Sequence, residues 1–361
     1  MSSTAATPAD RLARNTAYNG LAQFLPQLVG LVTIPFLLSA LGLAAYGVWA
    51  LVNTIVVVFV ALDGGISVSA QRFYALYAAQ REEDRAARLT VSALVLFTGL
   101  TAVLLLVGGP FASVVLAIAD MPSQVAGDAD FLLRRLGIVV GLLLVGNLLL
   151  GYLRAHNRFA LIALATALSQ GALGLVLWLH RDSLTLATMF LVLMAQLGTY
   201  VTVLALGARR HLLALRPRLV GREQWQQFWA FASRSLVGNV SGLALLQTGP
   251  LFVAAFSPIE HVGFLGVANQ LASAVRSFPM FTLPPILTVV TRTFGSAGEA
   301  AAVRCASEFN RWWVPVVLGY AAVSSAGMWF VTRGFAGALP VAQAAAVLLT
   351  VGFAANLVTG V

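Results

Sequence analysis

The chain contains no lysine. All 22 of its basic residues are arginine, which excludes a P-loop, where a lysine must reach the nucleotide phosphates. Cysteine is nearly absent: Cys305 stands alone, so neither an intramolecular disulfide nor a cysteine metal site can form. The four histidines, His156, His180, His211 and His261, are scattered over loops and helix ends without ligand spacing, and no metal or cofactor is expected. Charge of either sign is scarce. Only 10% of the 361 residues are charged, against about a quarter in a soluble domain. A chain so poor in charge would expose large apolar patches in water.

What is present instead is apolar length. Hydrophobic residues make up 59% of the chain, and the mean hydropathy is +0.88. A bilayer core of about 30 Å takes roughly 20 apolar residues per helix. Ten stretches qualify, near 18–41, 46–68, 91–118, 134–153, 159–180, 184–208, 229–256, 262–290, 312–332 and 341–361. The first, preceded by Arg11 and Arg14, runs through Pro26 and Pro35 and is too long for the apolar core of a signal peptide, which is about 7–15 residues. The expected fold is an all-α polytopic membrane protein.

The arginines fix an orientation. With the N-terminus inside, sixteen fall on inner segments: Arg11 and Arg14; Arg72, Arg81, Arg85 and Arg88; Arg154 and Arg158; Arg209, Arg210, Arg216, Arg218 and Arg222; Arg292, Arg304 and Arg311. Only Arg134, Arg135, Arg181 and Arg333 fall outside. That asymmetry over short loops predicts a cytoplasmic N-terminus. The net charge of +9 and pI near 10.7 then read as inner loops held against anionic lipid, with no nucleic-acid partner.

An internal repeat organises the chain. At an offset of 220, Arg14 matches Arg234, Asn19 matches Asn239 and Gln27 matches Gln247; at 216, Gly47 matches Gly263 and Asn53 matches Asn269. Six helices separate the copies, so both insert in the same direction, as in transporters whose substrate site lies between two lobes. The sequence therefore predicts a six-helix lobe over 1–208, a cytoplasmic linker over 209–228 and a second lobe from 229 to 361. The 6 + 6 plan leaves that second lobe incomplete, and the chain is expected to continue for at least two more helices.

Polar residues inside the apolar stretches are the candidate site. Asn15, Asn19, Gln23 and Gln27 recur every four residues, which lines one helix face with carboxamides. Such a face turns from lipid toward protein or a water-filled cavity. Asn53, Asn239, Gln247 and Asn269 extend the candidate lining. Arg276, fourteen residues past Val262, sits about 21 Å from the outer face, still within the core, where an arginine calls for an anion or an aqueous cavity. Asp63 reaches a depth of about 25 Å by the same rise and is the candidate gate or ion-coupling carboxylate. No outer loop is large enough for the site of a membrane glycosyltransferase, so an enzyme is not expected.

The run Ile34-Pro35-Phe36-Leu37-Leu38, then Leu41-Gly42 and Tyr46-Gly47, followed by Leu62-Asp63-Gly64-Gly65 and Arg72-Phe73, resembles the opening of the polysaccharide-biosynthesis flippases. These are the Wzx-like branch of the multidrug/oligosaccharidyl-lipid/polysaccharide exporter superfamily. The resemblance implies two lobes around a central cavity and a monomeric secondary transporter. Its substrate would be undecaprenyl-pyrophosphate-linked oligosaccharide for cell-surface polysaccharide, including lipopolysaccharide and exopolysaccharide, with H+ or Na+ as coupling ion. A lipid II flippase and a drug/cation antiporter of the same superfamily are the rival transport readings. A non-transporting membrane scaffold is the rival of another class, and polar stripes inside the membrane argue against it.

Overall fold

The structure is a computed structural model that describes residues 8–119, 121–280, 298–335, 344, 347–349 and 351–352. Every regular element among the described residues is an α-helix. In hydrocarbon, each backbone N–H and C=O must be satisfied within its own segment, and a helix does this without a partner. The helices are α1 (Pro8–Gln80), α2 (Glu83–Ile118), α3 (Ser123–Arg134), α4 (Leu136–Ala155) and α5 (Phe159–Leu179). They continue as α6 (Leu186–Gly207), α7 (Arg209–Leu213), α8 (Arg222–Phe256), α9 (Ile259–Met280) and α10 (Glu299–Phe335).

Five segments among the described residues are long and apolar enough to cross a membrane: Gly20–Val60, Glu83–Ile118, Leu136–Ala155, Phe159–Leu179 and Leu186–Gly207. The first is 41 residues long, about 61 Å as straight helix, or twice a bilayer core. It therefore comprises two crossings, and the structure shows where they meet. The sequence expects spans at 18–41 and 46–68 with a loop between. Instead, helix runs on both sides of Gly42, the one residue of α1 outside helical geometry, at φ 75° and ψ 169°. Only glycine occupies that region without steric cost. Residues 341–361 lie largely outside the described part.

A second difference concerns 119–133, which reads as a loop by hydropathy. It holds α3, whose Ala129, Leu132 and Leu133 are buried. Twelve residues with an apolar stripe on one side are too short to register as a crossing, yet long enough to cover the end of a bundle.

The chain divides into two compact units, Met1–Ala22 with Leu38–Gly263, and Gln23–Leu37 with Phe264–Val361. Within the first, α5 packs along α6, α2 along α4, and α4 along α6, while α3 rests on α2 and α6. Val48, Tyr74, Phe97, Leu133 and Leu144 lie in its core. Large apolar side chains also lie on the surface: Leu106 of α2 is 80% exposed, as on a lipid-facing helix. α1 and α9 approach closely at two glycines. A Cβ on Gly263 would lie 3.3 Å from the Gly47 Cα, and one on Gly47 would run into the Ile259 backbone.

In the second unit, the Gly30 backbone lies against the Gln270 side chain. On α10, Phe309 and Trp313 stack at 5.3 Å between ring centroids.

Candidate functional site

The candidate residues inside the membrane fall into three groups. Asn19, Asp63, Asn239, Gln247 and Arg276 are on helical backbone, and their side chains lie outside the described part. Asn53, in the first unit, donates its Nδ2 to the Trp49 carbonyl one turn back at 2.9 Å. A carboxamide used in this way satisfies itself on its own helix, and its Oδ1 remains for another donor. Gln23, Gln27 and Asn269 belong to the second unit. Gln23 is exposed and Gln27 half-buried, and the Gln27 Oε1 is buried without a hydrogen-bond donor among the described residues. An acceptor in that state costs about 1–3 kcal/mol, a cost that a hydroxyl or water reaching it would relieve. Arg72 has its guanidinium over the Phe231 ring, 4.3 Å from the centroid.

The first unit carries a larger feature that sequence reasoning did not find. At one end of the bundle, the α1–α2 turn, the α4–α5 turn and the segment from α6 through α7 close around a cavity of about 1120 Å³. Three arginine-rich loops separated in sequence thus share one end, as alternating loops of a polytopic protein must.

The turns are built alike. The Glu82 N–H donates to the Tyr77 carbonyl at 2.9 Å, and the Arg158 N–H to Leu153 at the same distance. Each closes a six-residue helix-ending loop around a left-handed residue. Those residues are Arg81 and Asn157, both at φ 57°. Asparagine tolerates this region; an arginine there costs about 1–2 kcal/mol relative to glycine. The Arg81 side chain lines the cavity.

The floor is polar and uncharged. Thr90 donates its hydroxyl to the Ala86 carbonyl at 2.9 Å, so its oxygen receives the other two contacts. Those are the Tyr74 hydroxyl at 2.8 Å and the His211 Nε2 at 2.7 Å, which must therefore carry its proton. Burial, with a smaller repulsion from His156, lowers the His211 pKa to about 4, and burial likewise pushes the Tyr74 phenol up. Tyr152 is sandwiched between His211 and His156, with ring centroids 4.2 Å away on both sides. The four histidines that look scattered in sequence thus include a pair stacked on one tyrosine.

The rim carries the charge. Seven arginines line the cavity with only Glu83 and Asp84 against them. Arg88 pairs with Asp84 at 2.9 Å, while its buried Nε has no acceptor among the described residues. Arg81, Arg158, Arg209, Arg210, Arg216 and Arg218 are exposed. The ion pairs among the described residues, Arg85–Glu82, Arg88–Asp84, Arg134–Asp130 and Arg181–Asp182, use none of them. The Val220 N–H donates to Ser92 Oγ at 3.0 Å, tying the segment after α7 back onto α2.

Comparison with known proteins places this arrangement. A family model described as "Polysaccharide biosynthesis protein" matches residues 12–290. Among curated proteins, none matches the sequence. Among solved structures, the MATE multidrug transporter DinF-BH, in a ligand complex, superposes at a TM-score of 0.71 and 14% identity, covering 100% of this chain and 83% of that one. An inward-facing multidrug resistance MATE family transporter of the MOP superfamily gives 0.69 at 14% identity, covering 92% and 76%. A MOP superfamily transporter from Pyrococcus furiosus, described as having a binding pocket of reversed polarity, gives 0.58 at 14% identity, covering 98% and 80%. At these identities the likeness is one of fold.

Proposed function

The chain belongs to the polysaccharide biosynthesis protein family, and from that premise we propose that this multi-pass membrane transporter flips undecaprenyl-pyrophosphate-linked oligosaccharides outward across the cytoplasmic membrane. The family match over residues 12–290 carries the reading. Its chemistry agrees with the residues inside the membrane. Sugar hydroxyls need carboxamides such as Gln27, whose Oε1 is buried and without a donor among the described residues. A pyrophosphate needs a cation, best supplied by the forked donors of an arginine, and Arg276 is the candidate. With the inside negative, moving two negative charges outward releases about 4.6 kcal/mol per 100 mV. Return of the empty carrier is coupled to H+ or Na+, with Asp63 as the ion-binding carboxylate. The transporter works as two lobes, 1–208 and 229–361, joined by 209–228. Lipopolysaccharide and exopolysaccharide are the destinations of the exported units.

The reading is tested in proteoliposomes carrying a fluorescent pyrophosphate-linked oligosaccharide. Protein is expected to make the label accessible to an added quencher at least tenfold faster than lipid alone. Transport of cationic dyes without movement of the glycolipid would overturn it in favour of drug export.

The proposed orientation has its own test. Single cysteines replacing Ser123 and Gln226, both exposed, are introduced with Cys305 changed to alanine. In intact cells, an impermeant maleimide is expected to label position 123 and leave 226 unlabelled. Labelling of 226 would invert the orientation.

A further inference from the structure

We propose that the arginine-rimmed cavity at the end of the first unit is a binding site for a multiply charged phosphate group, separate from the transport path. Orientation in the membrane explains arginines in these loops, but not their arrangement. Arginines that only hold a loop at the interface extend outward to lipid headgroups. Here residues from three loops converge on one concavity, where low-dielectric walls focus their field.

Three further observations point to an occupant. The exposed arginines of the rim have no ion-pair partners among the described residues, so their donors are free. Arg88 offers a buried Nε with no acceptor among them. Arg81 enters from a left-handed backbone position, a cost that residues bear where their side chain has work to do.

The chemistry selects phosphate. Guanidinium forks match its oxygens in pairs. The neutral floor of Tyr74, Tyr152 and His211 supplies no competing negative charge. The volume, about 1120 Å³, exceeds what a bare phosphate fills and leaves room for the group to which it is attached. Two sources share this chemistry, the headgroup of an anionic or pyrophosphoryl lipid in the adjoining leaflet and a soluble phosphate compound. Neither requires the protein to flip a glycolipid, and the test reads binding alone.

The full chain in phosphatidylcholine nanodiscs is titrated calorimetrically with inorganic pyrophosphate at constant ionic strength. Saturable binding is expected, and Arg209→Gln with Arg216→Gln should weaken it at least tenfold. Arg134→Gln with Arg181→Gln removes the same charge at helix ends away from the cavity and should change it less than twofold. Repeating the titration in phosphatidylglycerol nanodiscs separates the sources. Weaker apparent binding there, abolished in the Arg209/Arg216 variant, assigns the cavity to lipid headgroups; unchanged binding assigns it to a soluble phosphate. No saturable binding in phosphatidylcholine, or equal weakening by both pairs of substitutions, would overturn the proposal.

Discussion

Arg276→Ala is expected to abolish the proposed glycolipid flipping, by at least a hundredfold, while the protein accumulates in the membrane at its normal level. The second half of this expectation makes the first informative. An arginine in the bilayer core costs about 2.5–3.5 kcal/mol to insert, so alanine there eases insertion, and a loss of activity cannot be charged to misfolding. α9 is helical from Ile259 through Met280, so Val262 and Arg276 are separated by helical rise. Arg276→Lys should retain a fraction of the activity, because the charge survives without the paired donors. Flipping in proteoliposomes, normalised to protein, is the measurement. Full activity in the alanine variant would remove Arg276 from the site.

The second large effect concerns stability. Gly47→Leu is expected to eliminate folded protein, and Gly47→Ala to lower the unfolding temperature in detergent by several degrees. A Cβ at Gly47 meets the backbone of Ile259 and Gly263, and backbone in a packed helix cannot step aside as a side-chain tip can. Overpacking of this kind costs about 1–3 kcal/mol, at roughly 2–4 °C per kcal/mol for a domain of about 150–250 residues. Gly263→Ala should behave similarly, since its Cβ would lie 2.9 Å from the Leu43 carbonyl oxygen. Gly127→Ala is the control: nothing lies within 4 Å of the added carbon, and alanine is the better helix former. If Gly47→Ala and Gly127→Ala unfold at the same temperature, the close approach at Gly47 contributes nothing to stability.

Much of the helical plan was legible because a bilayer imposes one dominant constraint, apolar length. Glu83–Ile118, Phe159–Leu179 and Leu186–Gly207 lie close to the stretches that hydropathy marks. What escaped was amphipathic or long-range. α3 buries Ala129, Leu132 and Leu133 at helical spacing, but it is too short for a criterion built on crossings. The cavity floor depends on a hydrogen bond between Thr90 and His211, 121 residues apart, and no local pattern encodes that meeting. The arginine asymmetry marked the loops that share an end, yet not that they enclose a space. Gly47 and Gly263 stand at a matching offset in the sequence, and the structure shows the close approach that keeps both glycine.

The single-residue junction at Gly42 also bears on how the protein is made. From Leu38 to Trp49 the chain carries no charge, and helix resumes immediately on both sides of the break. A nascent chain with this design has no hydrophilic segment to push through the translocation channel between its first two crossings. The two helices can leave the channel together, with no polar load between them. The same junction leaves no hydrophilic loop between them for a protease or an inserted epitope to grip.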